Sequence, residues 1–107
     1  MRMWEVPTKY LCRKHLLGEH VEMHMFVGTI RKGVSIQGYL DKGLVDPVRI
    51  FDRHEELAVE ILRRGMNHQS PLENLGCRIT KPVDQTGNIA ELSRRCPECL
   101  ALIEAGS

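Results

Sequence analysis

A chain of 107 residues, 42% hydrophobic and 27% charged, fits one domain with a small core and has the composition of a globular protein, which excludes a disordered chain. The formal net charge of +1 excludes any argument for nucleic-acid binding from overall basicity and leaves only local clustering of charge as a signal. No apolar run is long enough to cross a bilayer, and the opening MRMWEVPTKY lacks the apolar stretch of a signal peptide, so a cytoplasmic chain without membrane attachment is expected.

In chain order, the residues Met3–Val6 read as a short extended piece, with the first turn starting near Pro7. From Cys12 to Arg31 the apolar side chains recur with helical spacing, Leu16, Leu17, Val21 and Met25 on one line and Met23, Val27 and Ile30 on another. Apolar residues then surround most of the circumference, as in a helix running through the middle of a domain. The remaining polar strip holds His15, Glu19 and Glu22, with Phe26 at its end. Glu19 is expected to support structure, pairing with Arg31 or Arg13.

Residues 32–46 contain three glycines and no steady period, and read as an irregular connection. A strong helix follows, with Asp46 as its cap, Pro47 at its first position, Arg63 and Arg64 in its last turn and Gly65 as its stop. Residues 66–87 read as loop with a short turn around Leu72–Leu75. The stretch from Asn88 to Glu91 resembles a capping box in its asparagine form, and RRCPECLALIEAG supplies a last short helix from Pro97 to Gly106. Strand signals are weak throughout. The expectation is an all-α protein, a single compact domain over 1–107 with about three main helices and long irregular connections.

Cys96 and Cys99 form a C-x-x-C at a helix N-terminus, where unpaired N–H groups favour a thiolate. Three readings stay open. The pair joins Cys12 and Cys77, or a histidine such as His68, in a four-ligand structural zinc site. Alternatively it is a redox dithiol, although the βαβ context that usually houses one is missing. Or the cysteines are buried small apolar residues.

The segment HLLGEHVEMHMFVGTIRK, residues 15–32, is similar to the part of the pyrimidine-dimer DNA glycosylases, the phage endonuclease V type, that carries their catalytic glutamate. The similarity runs without a gap through His15, Leu16, Glu19, Glu22, Gly28, Arg31 and Lys32. ELAVEILRRGMN, residues 56–67, looks like a later helix of that family and its closing turn, with Met66 in place of an aromatic. The resemblance implies an all-α fold with the N-terminus inserted between helices. It implies a DNA repair enzyme, a glycosylase and abasic-site lyase, whose α-amine attacks C1′ of a damaged nucleotide such as a pyrimidine dimer and forms an imine.

By the same resemblance Glu22 stabilises the sugar cation, and it stands from Met1 at the family's spacing between glutamate and amine. The bulky Arg2 is of the kind that prevents removal of the methionine, so the α-amine of Met1 is the expected nucleophile. An α-amino group titrates at about 7.7–8.0, so a useful fraction is neutral at cellular pH. Arg2 is carried over as a contact to the DNA backbone and His15 as part of the pocket wall, while Arg31 and Lys32, with Arg63 and Arg64, read either as ordinary helix-end charges or as a basic rim for phosphates. The partner implied is duplex DNA with a damaged or abasic site, bound by a monomer, and the chemistry requires no cofactor. The sequence also departs from the family. Val21 and Met25 stand where the phage enzyme has DNA-gripping arginines, the aromatic basic C-terminal tail has no counterpart in LALIEAGS, and the connection after Lys32 is shorter. The competing reading is a non-catalytic module, stabilised by zinc or binding nucleic acid.

Overall fold

The computed structural model describes residues 1–68 and 70–106. Five α-helices account for the architecture, with no strand among the described residues: α1 (Arg13–Arg31), α2 (Gln37–Asp41), α3 (Ile50–Arg63), α4 (Gln85–Arg95) and α5 (Pro97–Gly106). The protein is all-α, with four substantial helices where the sequence suggested about three. The C-terminal segment folds as two helices, α4 and α5, separated only by Cys96. None of the described helices is long and apolar enough to cross a membrane.

Helix α1 is the central element and packs chiefly on α3. Cys12 caps its start, its sulfur accepting from the His15 N–H. The helix ends at Gly33, whose φ of +74° lets the chain turn back so that the Gly33 and Val34 N–H groups reach the carbonyls of Ile30 and Thr29. Leu16, Met23, Phe26 and Val27 are buried. The line expected to be apolar and covered is only partly so, because Val21 and Met25 are about half exposed. Glu19 is the reverse case, a carboxylate in the middle of the protein at 1% exposure.

Asp46 does not cap the helix that follows it. The side chain is buried and accepts from the Lys81 N–H at 3.0 Å, which fastens the long segment 66–84 to the start of α3. Pro47 opens a 3-10 turn that leads into α3, and Gly65, at φ +81°, closes that helix. Helix α4 starts four residues earlier than the capping box suggested. Asp84 is its cap, accepting from the Gly87 N–H at 2.9 Å, and Asn88 lies inside the helix.

The N-terminal segment is buried in this framework. Met3, Trp4 and Val6 are at most 5% exposed. Burying three such side chains contributes roughly 5–8 kcal/mol before entropy is charged, enough to hold a terminus that would otherwise fray. Hydrogen bonds fix its course. The Met3 N–H donates to the Leu44 carbonyl at 2.7 Å, the Trp4 N–H to the Glu19 carboxylate at 3.1 Å, and the Asn88 amide to the Trp4 carbonyl at 2.8 Å. Beyond them Glu5 takes a positive φ of 54°, held by Arg49 on its carboxylate and by Gln85 on its carbonyl.

Candidate active site

The course of the N-terminus decides where its amine goes. With Trp4 tied to Glu19, the first residues run along α1 toward its next turn, and the Met1 nitrogen lies 3.9 Å from an Oε of Glu22. Met1 is largely covered, whereas Glu22 keeps 30% of its side chain open. Burial pushes the Glu22 carboxyl above the usual carboxylate range, and the Met1 amine and the Arg2 backbone N–H oppose that shift. The net direction is upward, so Glu22 holds a proton more readily than a surface glutamate does.

Glu19, one turn earlier, is a support. It receives two hydrogen bonds from Arg53, at 2.6 Å and 2.9 Å, and a third from the Trp4 N–H. Burial works to lower the Arg53 pKa, and the Glu19 carboxylate outweighs it and raises it. The expected partners Arg31 and Arg13 are elsewhere: Arg31 pairs with Glu73, and Arg13 donates to the Met66 sulfur.

A cleft of about 250 Å³ opens over Glu22. Arg2, Lys14 and Arg95 supply cations around it, and Trp4 and His15 supply flat walls. The Arg2 guanidinium stacks 3.9 Å from the centre of the Trp4 ring, with Arg95 at 5.3 Å, and Arg2 is also bonded to Asn88 at 2.6 Å. Burial, with Arg95 nearby, lowers the Arg2 pKa. Its Nε is buried without a hydrogen-bond partner. A larger depression of about 690 Å³ continues from it, sharing Lys14, His15 and Arg95. Three cations line the cleft against two carboxylates, and Arg53 neutralises one of these, Glu19, which leaves a net attraction for phosphate.

Of the residues singled out in the sequence, Met1, Arg2, His15 and Glu22 therefore come together. Arg31 and Lys32 do not join them. They lie nine and ten residues beyond Glu22 on α1, roughly 14 Å along its axis, and neither lines the cleft. Lys14, Arg53, Asn88 and Arg95 belong to the site or its support and nothing in the sequence marked them for it, because the fold alone brings them to the cleft or to the N-terminal segment.

The cysteine grouping differs from the one expected. Cys12, Cys96 and Cys99 converge with His15, while Cys77 lies apart, lining a groove beside Val27 and Ile50. All four thiols are free, and burial pushes the Cys99 thiol up to about 12. A second cluster joins His20, His24, His54 and His68, where burial and then the neighbouring rings hold His20 down to about 4.

Comparison with known families matches residues 1–74 to one described as pyrimidine dimer DNA glycosylase. Comparison with curated proteins and with solved structures finds no match. The matched region spans well over half of the chain and holds both the N-terminal segment and the helix against which its amine rests. The chain thus belongs to the pyrimidine dimer DNA glycosylase family, enzymes of DNA repair.

Proposed function

We propose that this glycosylase works on duplex DNA through the α-amine of Met1, with Glu22 as its acid–base partner, and that it goes on to cleave the strand as a lyase. The observation that carries this reading is the 3.9 Å approach of the amine to the Glu22 carboxylate inside a cationic cleft. Attack requires the neutral amine, and Glu22 is within reach, through one bridging water, to take up its proton. The nitrogen lone pair forms a bond to C1′ while the glycosidic bond breaks and its electrons leave with the base. Opening of the sugar ring gives the imine, with a proton returned to O4′. Loss of a proton from C2′ then drives out the 3′ phosphate oxygen by β-elimination.

The carboxylate also faces the positive charge that develops at C1′, in a site partly shielded from water where such a contact is strong. Arg2, Lys14 and Arg95 are the cations proposed to hold the backbone around the lesion, which positions the sugar without reading sequence. Val21 and Met25 remove two further phosphate grips, so affinity for the duplex rests on fewer contacts and falls less steeply with salt.

Borohydride reduction of a mixture with abasic-site duplex tests the reading, after the intact mass has established that Met1 is the free end. The expected result is a covalent protein–DNA adduct. A peptide leader on Met1 abolishes it, and Glu22→Gln slows strand cleavage about a hundredfold or more. A folded protein that binds the duplex with salt-dependent affinity and forms no adduct overturns the mechanism and leaves a non-catalytic module.

A further inference from the structure

The geometry points to a structural zinc site formed by Cys12, His15, Cys96 and Cys99, which ties the start of α1 to the start of α5 beside the catalytic cleft. Tetrahedral zinc has Zn–S bonds of about 2.3 Å and Zn–N bonds of about 2.0–2.1 Å, which requires ligand-to-ligand edges of roughly 3.8 Å between sulfurs and 3.5 Å between sulfur and nitrogen. The Cys12 and Cys96 sulfurs are 3.9 Å apart, and His15 Nδ1 lies 3.2 Å from the Cys12 sulfur and 3.5 Å from that of Cys99. All four ligand atoms fall within 4.8 Å of one another. A disulfide would need sulfurs at about 2.05 Å.

The local backbone is built for thiolates. Both ligand pairs are spaced C-x-x-ligand at the first turn of a helix, and in each the N–H of the second ligand points at the sulfur of the first, at 3.5 Å. The Cys12 N–H adds a third such contact, to the Cys99 sulfur at 3.3 Å. Each of the three buried sulfurs thus receives one backbone N–H, two from its own turn and one across from the other helix start, which suits the negative charge a metal-bound thiolate carries. Four protein ligands leave no open position, so the ion is structural. It closes a loop of more than eighty residues and holds His15 edge-on to Trp4, 5.9 Å between ring centres, at the wall of the cleft.

The test is metal content and cobalt substitution on the whole chain. Purified protein is expected to carry zinc, and replacement by Co²⁺ should give an intense near-ultraviolet thiolate-to-cobalt band. Cys96→Ser with Cys99→Ser removes the band and one equivalent of metal, and Cys77→Ser leaves both intact. Because the double variant could fail to fold, a mercurial titration of the wild-type thiols provides a second readout, in which one zinc is released to a chromophoric chelator. Wild-type protein with neither thiol-releasable zinc nor a cobalt band overturns the site, as does loss of the band in Cys77→Ser.

An independent observation carries a second site. His20 and His24 lie one turn apart on α1, with His54 on α3 and His68 beyond it, and their Nε2 atoms face inward. His20 meets His68 at 2.8 Å and His54 meets His24 at 3.1 Å. The ligand atoms of His20, His54 and His68 all lie within 4.8 Å of one another. Glu55 bonds His54 on its other nitrogen, Nδ1, at 2.9 Å. A carboxylate on the outer nitrogen is the arrangement that fixes the tautomer and aim of a metal-binding imidazole. We infer that the imidazoles of His20, His54 and His68 bind a divalent transition ion, for which zinc is the probe, the ion taking the place of the Ser70 carbonyl that lies 3.1 Å from His54 Nε2.

With both sites filled, zinc-loaded protein carries about two equivalents. His54→Ala is expected to drop one of them while keeping the thiolate-to-cobalt band, which also reports that the variant is folded. Unchanged metal content in band-retaining His54→Ala, or a wild-type protein whose only equivalent is lost with the cysteines, overturns the histidine site.

Discussion

Two glutamates one turn apart on the same strip of α1 have opposite fates, and the difference lies in what α3 presents to each. Glu19 faces Arg53, which is buried to 1% exposure and donates to it through two nitrogens, whereas Glu22 faces the N-terminal amine and the cleft. A buried pair of this kind adds little net stability, because desolvation offsets most of the attraction. Breaking it is another matter. Arg53→Ala strands Glu19 in the core beneath Trp4, and a loss of roughly 3–5 kcal/mol is expected in urea unfolding. Arg53→Lys should recover only part of it, since a single ammonium cannot reproduce the fork. The double variant Glu19→Gln, Arg53→Met should be milder than Arg53→Ala alone. If the single variant costs less than about 1 kcal/mol, Glu19 is not the pivot on which the N-terminus is set. The sequence showed the strip and, by family resemblance, singled out Glu22. It could not show which carboxylate is buried, because the partner is thirty-four residues away.

At the scale of elements, helix ends were the most legible feature where glycine or proline marks them. Gly65 and Pro97 each stand where the sequence placed a boundary. Legibility failed where a side chain has two uses. Asp46 and Asn88 both look like caps in sequence, and tertiary partners outside their helices claim both. The C-terminal turn of α3 shows the reverse, a local cluster that behaves as its spacing says. Glu60, 5% exposed, accepts from Arg63 and Arg64, and Arg64 also donates to the carbonyls of Thr8 and Leu11. Hydrogen bonds from Arg63, then Arg64, bring the Glu60 carboxyl down to about 2 against an ordinary 4.5. A depressed carboxyl stabilises the fold above its unfolded pKa, and that contribution disappears as pH falls through the folded value. Part of the shift is screened by water, since Arg63 is mostly exposed, so on the order of 2 kcal/mol is expected to vanish between about pH 4.5 and pH 2. Urea midpoints across that range should fall more steeply for the wild type than for Glu60→Gln. Parallel curves would mean the cluster is too solvated to matter.

For the molecule as a whole, the family match ends at residue 74, yet the cleft is not complete there. The C-terminal helices α4 and α5 bring Asn88 and Arg95 against the N-terminal segment and Cys96 and Cys99 against the start of α1. The chemistry of the proposed reaction therefore depends on a part of the chain that the match does not cover. Asn88 is the sharpest probe of that dependence, since one amide both donates to the Trp4 carbonyl and accepts from Arg2. Asn88→Ala leaves a buried carbonyl unpaired and frees the Arg2 guanidinium, at a cost of roughly 1–3 kcal/mol in stability. The amine is attached one residue before Arg2, so its position should loosen as well. A misplacement of even 1 Å at a reacting group can cost about a hundredfold in rate. Single-turnover borohydride trapping on abasic duplex is therefore expected to slow by tenfold or more in Asn88→Ala, with helical circular dichroism unchanged. Asn88→Asp separates the two bonds. Its carboxylate still accepts from Arg2 but donates nothing to Trp4, so trapping that recovers in Asn88→Asp assigns the effect to Arg2. Trapping at the wild-type rate in both variants would show that residues 1–74 set the amine without help from α4 and α5.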